Sequence, residues 1–156
     1  MAKYRTLTTE ELNTFEKEFI SFLVVNGIEA TEWEKIKADS VDKTAGIIDQ
    51  FSDVIFESVF RKSRYLDHIS AKSIKCFQFL ENEIVLVSLS ADNESNVDFL
   101  SNTPMSEVIK TNLEDLAVYQ TKKGFADQRE IEMFEMTNKG ATISDGSLFK
   151  QICLLL

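Results

Sequence analysis

The spacing of apolar residues changes at Ser63, and that change limits the chain to a fold that mixes helices with strands. Before it, apolar side chains recur every three or four positions; after it, they alternate. From Val41 to Lys62, the residues Ile47, Ile48, Phe51, Val54, Ile55 and Val59 line one helical face. From Ser73 to Leu80 and from Ile84 to Ser90 the chain is rich in β-formers, with Glu81-Asn82-Glu83 between the two runs. That pattern predicts a β-hairpin. One face holds Ile74, Cys76, Val85, Val87 and Leu89, and the other holds Phe77, Phe79 and Leu86. Two apolar faces mark inner strands. Tyr65 to Ile69 adds a strand beside them.

The remaining elements follow from caps and stops. Thr8 and Glu11 have capping-box spacing, and Leu7 and Leu12 occupy the staple positions around them. Leu12, Phe15, Phe19, Phe22 and Leu23 then keep helical spacing as far as Asn26-Gly27, which predicts a helix over 9–26. Thr31 and Glu34 repeat the cap spacing and predict a short helix over 32–38. Thr103 as N-cap with Pro104 at N1 opens a helix to about Thr111. Ala117 to Thr121 alternates as a strand. Asp127 and Glu130 have cap spacing for a helix ending near Gly140. Ser144-Asp145-Gly146 is a turn. After it, Leu148, Phe149, Ile152, Cys153 and Leu156 fit an amphipathic helix, with a strand as the alternative. No linker is long enough to divide the chain. The expectation is a single α+β domain over 1–156. A helical N-terminal layer packs on a mainly antiparallel sheet, and further helices come from the C-terminal half.

Charge and cysteine usage narrow the function classes. The 156 residues carry 17 Lys+Arg against 26 Asp+Glu, a net charge of −9. Residues 1–78 hold 11 basic and 13 acidic side chains, whereas residues 79–156 hold 6 and 13. An acidic body repels phosphate backbones, so nucleic acid is not the expected partner. Cys76 and Cys153 sit in apolar runs and do not make a disulfide framework. No signal-peptide stretch and no 18-residue apolar run is present. Free thiols, a cytoplasmic location and no membrane partner are expected.

The candidate site residues are few. His68 is the one histidine, and no Cys-x-x-Cys or His-x₃-His spacing supports a metal. No cofactor motif is present either. Arg61, Lys62, Arg64, Lys72 and Lys75 form a basic cluster around it. Cations in the last turn of a helix also complement its dipole. Arg61, Arg64, His68, Lys72 and Lys75 are the candidate ligand- or anion-binding residues. Asp49, Asp53 and Glu57 form an i, i+4, i+8 row that reads as a solvated face. Phe56 and Phe60 point into that row, almost opposite the Phe51/Val54 face. They need a second layer or a partner and are the candidate protein interface.

Three stretches carry a resemblance: Glu18-Phe19-Ile20-Ser21-Phe22-Leu23-Val24-Val25-Asn26-Gly27-Ile28, Lys72-Ser73-Ile74-Lys75-Cys76-Phe77-Gln78, and Ile143-Ser144-Asp145-Gly146-Ser147-Leu148-Phe149-Lys150. Together they resemble an uncharacterised family of short bacterial cytosolic proteins, a domain of unknown function. The resemblance implies no activity, cofactor or active-site residue. The residues themselves predict a non-enzymatic binding or adaptor protein with a protein partner, a second copy being one form of it. The alternative is a hydrolase or nucleic-acid-processing enzyme using His68, Asp67 and the 61–75 basic cluster.

Overall fold

The computed structural model covers residues 1–156. It has seven α-helices and a five-stranded antiparallel sheet, an α+β architecture. The backbone clusters into two compact units, Met1–Val59 and Phe60–Leu156. No helix is long and apolar enough to cross a membrane.

The first unit holds α1 (Thr9–Thr14), α2 (Glu16–Val25), α3 (Ala30–Asp39) and most of α4 (Val41–Lys62). The capping box forms as expected. Thr8 Oγ1 accepts the Glu11 N–H (3.2 Å), and Glu11 Oε1 accepts the Thr8 N–H (2.9 Å). The helix over 9–26 is broken at Phe15, whose φ of −100° and ψ of 25° interrupt it. The Phe15 N–H is shared between the carbonyls of Glu11 and Leu12, each at 3.1 Å. Gly27 then ends α2 in the left-handed region, at φ +73°. That conformation lets Ile28 N–H reach Leu23 O (2.9 Å) and Gly27 N–H reach Val24 O (3.0 Å). α3 starts earlier than expected, with Glu29 as N-cap and Thr31 inside the helix. An aromatic cluster joins these helices. Phe19 meets Phe51 at 4.9 Å and Trp33 at 5.3 Å between centroids, both edge-on. Leu7, Leu23, Ile36 and Phe51 are buried with it.

The bounds of α4 agree with the sequence, but its buried face does not. Val54 and Val59 are exposed, whereas Ser52 is fully buried. The N-terminal segment is the reason, because it lies along the acidic row. Asp53 Oδ2 and Oδ1 accept the N–H groups of Lys3 (2.8 Å) and Tyr4 (3.0 Å). The Tyr4 hydroxyl donates to Glu57, and the Thr6 hydroxyl donates to Asp49. Ser52 Oγ accepts the buried Leu7 N–H at 2.9 Å. Asp49, Asp53 and Glu57 are therefore not a solvated face; they are acceptors for Lys3, Tyr4 and Thr6 of the N-terminal segment.

The second unit is built on the sheet, in the order β4-β3-β2-β1-β5. The strands are β1 (Tyr65–Ile69), β2 (Ser73–Phe79), β3 (Glu83–Ala91), β4 (Leu116–Gly124) and β5 (Thr142–Ser144). The hairpin register pairs Ile74 with Leu89, Cys76 with Val87 and Phe77 with Leu86, so both expected faces are correct. Helices α5 (Met105–Thr111) and α7 (Ser147–Cys153) cover the Ile74/Cys76/Val87/Leu89 face through Val108, Ile109, Phe149 and Ile152. The other face buries Leu66, Phe79 and Ile84. Helix α6 (Arg129–Asn138) follows β4.

Small departures are local. Pro104, not Thr103, is the N-cap of α5. Asp127 accepts the Gln128 N–H (2.7 Å) and leaves Gln128 as the N-cap of α6. The three-residue β5 extends the sheet beyond β1, pairing Tyr65 with Ser144 and Asp67 with Thr142. At the opposite edge, β4 is nine residues long and mostly exposed. It carries Lys122 and Lys123 near its end, with Lys122 Nζ 4.0 Å from the Glu83 carboxylate on β3.

Candidate functional site

The 61–75 basic cluster does not converge on one place. Arg61 and Arg64 border a shallow concavity with Glu81, Arg129 and Glu130. Arg129, which the sequence did not single out, acts there as a clip. Its guanidinium donates to the carbonyls of Phe60 (2.9 Å), Ser63 (2.6 Å), Phe79 (3.1 Å) and Leu80 (3.2 Å). Lys72 stands apart from these groups. Its ammonium donates to the carbonyls of Ser95 (2.8 Å) and Val97 (2.5 Å) and fastens the loop after β3.

His68 and Lys75 do meet, because they are Cα partners across β1 and β2. With Phe77, Met136, Lys139 and Ala141 they line a concavity of about 210 Å³. Lys139 follows α6 directly, and no sequence spacing connects it to His68.

Asp67 and His68 are neighbours on β1, so strand alternation sends them to opposite sheet faces. Asp67 pairs with Cys76 and Thr142, on the face covered by α5 and α7. Its carboxyl is buried, and Oδ1 has no hydrogen-bond partner. Burial pushes it above the ordinary carboxylate range, against the opposing effects of the Cys76 thiol and the Ser144 hydroxyl beside it. Burial, and then the Asp67 charge, push the Cys76 thiol well above its ordinary range. A thiol held protonated is a poor nucleophile. His68 shares no sheet face with either group.

Phe56 and Phe60 are covered within their own units. The Phe56 ring lies 5.9 Å from that of Tyr4, with the Arg5 guanidinium 4.7 Å from its centroid. Phe60 is buried and meets Phe134 edge-on at 6.1 Å.

The open apolar surface lies elsewhere in the first unit. Helices α1 to α3 and Ile48 of α4 enclose a groove of about 690 Å³. Leu12, Phe19, Leu23, Ile28 and Trp33 line it, and Glu16, Glu29 and Glu34 stand along its sides. Ile20 and Val24 also line it and remain 53% and 67% exposed. Lys37, the one cation of the lining, is paired with Glu34 at 2.9 Å. The i, i+4 spacing of Ile20 and Val24, off the main apolar stripe, is the signal that could have located this groove.

The chain matches a family of unknown function, DUF6495, over residues 1–156 and belongs to that family. No curated protein matches it. No solved structure matches it.

Proposed function

We propose that the chain is a protein-binding adaptor whose α1–α3 groove receives a short basic amphipathic helix from its partner. The observation that carries the reading is the open groove with Ile20 and Val24 exposed on its wall. Its volume lies within the range of binding sites, about 300–1,000 Å³. An apolar channel between helices suits the apolar stripe of another helix. The sign of the charge selects the partner. Three carboxylates stand along the groove, its one lysine is already paired, and residues 1–59 hold twelve acidic side chains against six basic. Flanking lysines or arginines on the incoming helix complement that field. The dispersal of the basic cluster, and the separation of Asp67 from His68, count against the nucleic-acid-processing alternative.

Trp33 is the single tryptophan and lines the groove, so its fluorescence reports occupancy. A synthetic amphipathic helix of Leu and Lys should shift Trp33 emission saturably. A Leu and Glu helix of the same length should not. Val24→Asp should weaken the Leu/Lys complex at least about tenfold, the equivalent of ~1.4 kcal/mol, and leave the melting temperature unchanged. An equal response to the acidic helix, or an unaffected Val24→Asp variant, would refute the groove as the binding surface.

A further inference from the structure

The concavity on the β1–β2 face has a different chemistry from the groove and stands on its own observations. We infer that it binds a small apolar carboxylate, with the anion held by His68, Lys75 and Lys139 and the body resting on Phe77, Met136 and Ala141.

The antiparallel register places His68 and Lys75 side by side on one sheet face, and Phe77, two residues on, shares that face. The end of α6 supplies the opposite wall. Lys139 is its C-cap, and Gly140 takes φ +109° to turn the chain toward β5. Ala141 N–H then bonds back to Met136 O at 3.1 Å, which occupies a carbonyl that would otherwise face an anion from the helix end.

Two further features point to a ligand. The His68 imidazole and the Lys75 and Lys139 ammonium groups enter no hydrogen bond or ion pair, and no carboxylate lines the concavity, in a chain of net charge −9. Gly140 also leaves room at the imidazole. A Cβ there would stand 3.2 Å from His68 Nε2 and 3.5 Å from Cδ2. The first distance is tighter than an ordinary van der Waals contact, so any side chain at position 140 would crowd the imidazole and narrow that side of the concavity.

Size and polarity define the ligand. At about 210 Å³ the concavity is below the range of most cofactor sites, which suits one ring or a short acyl chain. Lys75 and Lys139 are exposed, so their attraction is partly screened. Selectivity for the anion is accordingly about tenfold rather than absolute.

The test is a titration of the full chain followed by NMR, with benzoate, benzyl alcohol and inorganic phosphate as probes. His68 is the only histidine, so its ring signals identify themselves. Benzoate should shift them saturably. Benzyl alcohol and phosphate should each bind about tenfold more weakly. The Lys75→Gln, Lys139→Gln double variant should lose the preference for benzoate over benzyl alcohol while keeping its melting temperature; Lys139→Gln alone serves if the pair misfolds. Unmoved His68 signals, benzyl alcohol or phosphate binding as tightly as benzoate, or a variant that keeps the preference would each overturn the assignment. Trp33 reads the α1–α3 groove separately.

Discussion

Replacing Ser52 by alanine tests the docking of the N-terminal segment on α4. The Ser52 hydroxyl is fully buried, donates to Ile48 O at 2.7 Å and accepts the Leu7 N–H at 2.9 Å. The two bonds are not equal. Ile48 O keeps its helical partner when the hydroxyl goes, so that loss is small. Alanine is also the better helix former, by up to ~0.7 kcal/mol. Against this, the Leu7 N–H is left in the interior without an acceptor, which costs about 1–3 kcal/mol. The orphaned donor wins, and the net destabilisation is roughly 1.5 kcal/mol. For a chain of this length that is a fall of about 3–6 °C in melting temperature. Trp33 fluorescence follows the melt in the correct unit, and hydrogen exchange should show the Leu7 amide losing protection. A variant as stable as the parent, with Leu7 still protected, would show that the segment does not depend on this contact.

Gly146 lies at φ +84°, and a Cβ there would come within 2.5 Å of the Tyr65 ring. Gly146→Ala should cost about 2–4 kcal/mol by denaturant titration, from backbone strain plus overpacking; a change under about 1 kcal/mol would place the ring elsewhere. Burial holds the Asp67 pKa above its ordinary value, so the folded chain keeps a proton that the unfolded chain has released. Stability therefore falls as pH rises from about 3.9 through the raised value. Asp67→Asn should remove that slope and melt higher than the parent at neutral pH; melting curves with the same slope in both proteins would contradict the burial of a charge. Cys76 is fully buried and Cys153 partly so, and both are free. Thiol titration should find one reactive group in the folded protein, at Cys153, and two after denaturation; rapid labelling of Cys76 would remove it from the interior.

Elements whose instructions are local were legible in the sequence. Thr8 and Glu11 cap one another within a single turn, and Gly27 stops α2 with its own backbone. The hairpin faces follow from alternation alone, and Ile74 opposite Leu89 confirms them. What was not legible depends on a partner distant in sequence. The Asp49, Asp53 and Glu57 row looks like a charged surface until Lys3 and Tyr4 bring their N–H groups to it, 50 and 49 residues away from Asp53. β5 has three residues, too few for a pattern, and exists because β1 offers it an edge. The basic cluster failed as a unit for a related reason. Proximity in sequence placed Lys72 with His68, but the loop carbonyls of Ser95 and Val97 claim its ammonium. Lys139, 71 residues beyond His68, stands beside it instead.

The sheet has two free edges, and they are protected unequally. β5 is too short to offer a second chain more than one or two bonds, whereas β4 is nine residues long and every second residue turns its N–H and C=O to the outer side. Such a strand is a template for cross-β growth unless charge keeps it hydrated. Lys122 and Lys123 supply that charge, both about two-thirds exposed. They act as gatekeepers of the edge: replacing both with valine would remove their ion pairs with Glu83 and Glu132, leave the backbone ladder of the sheet in place, and turn its longest border into a nucleus for fibrils.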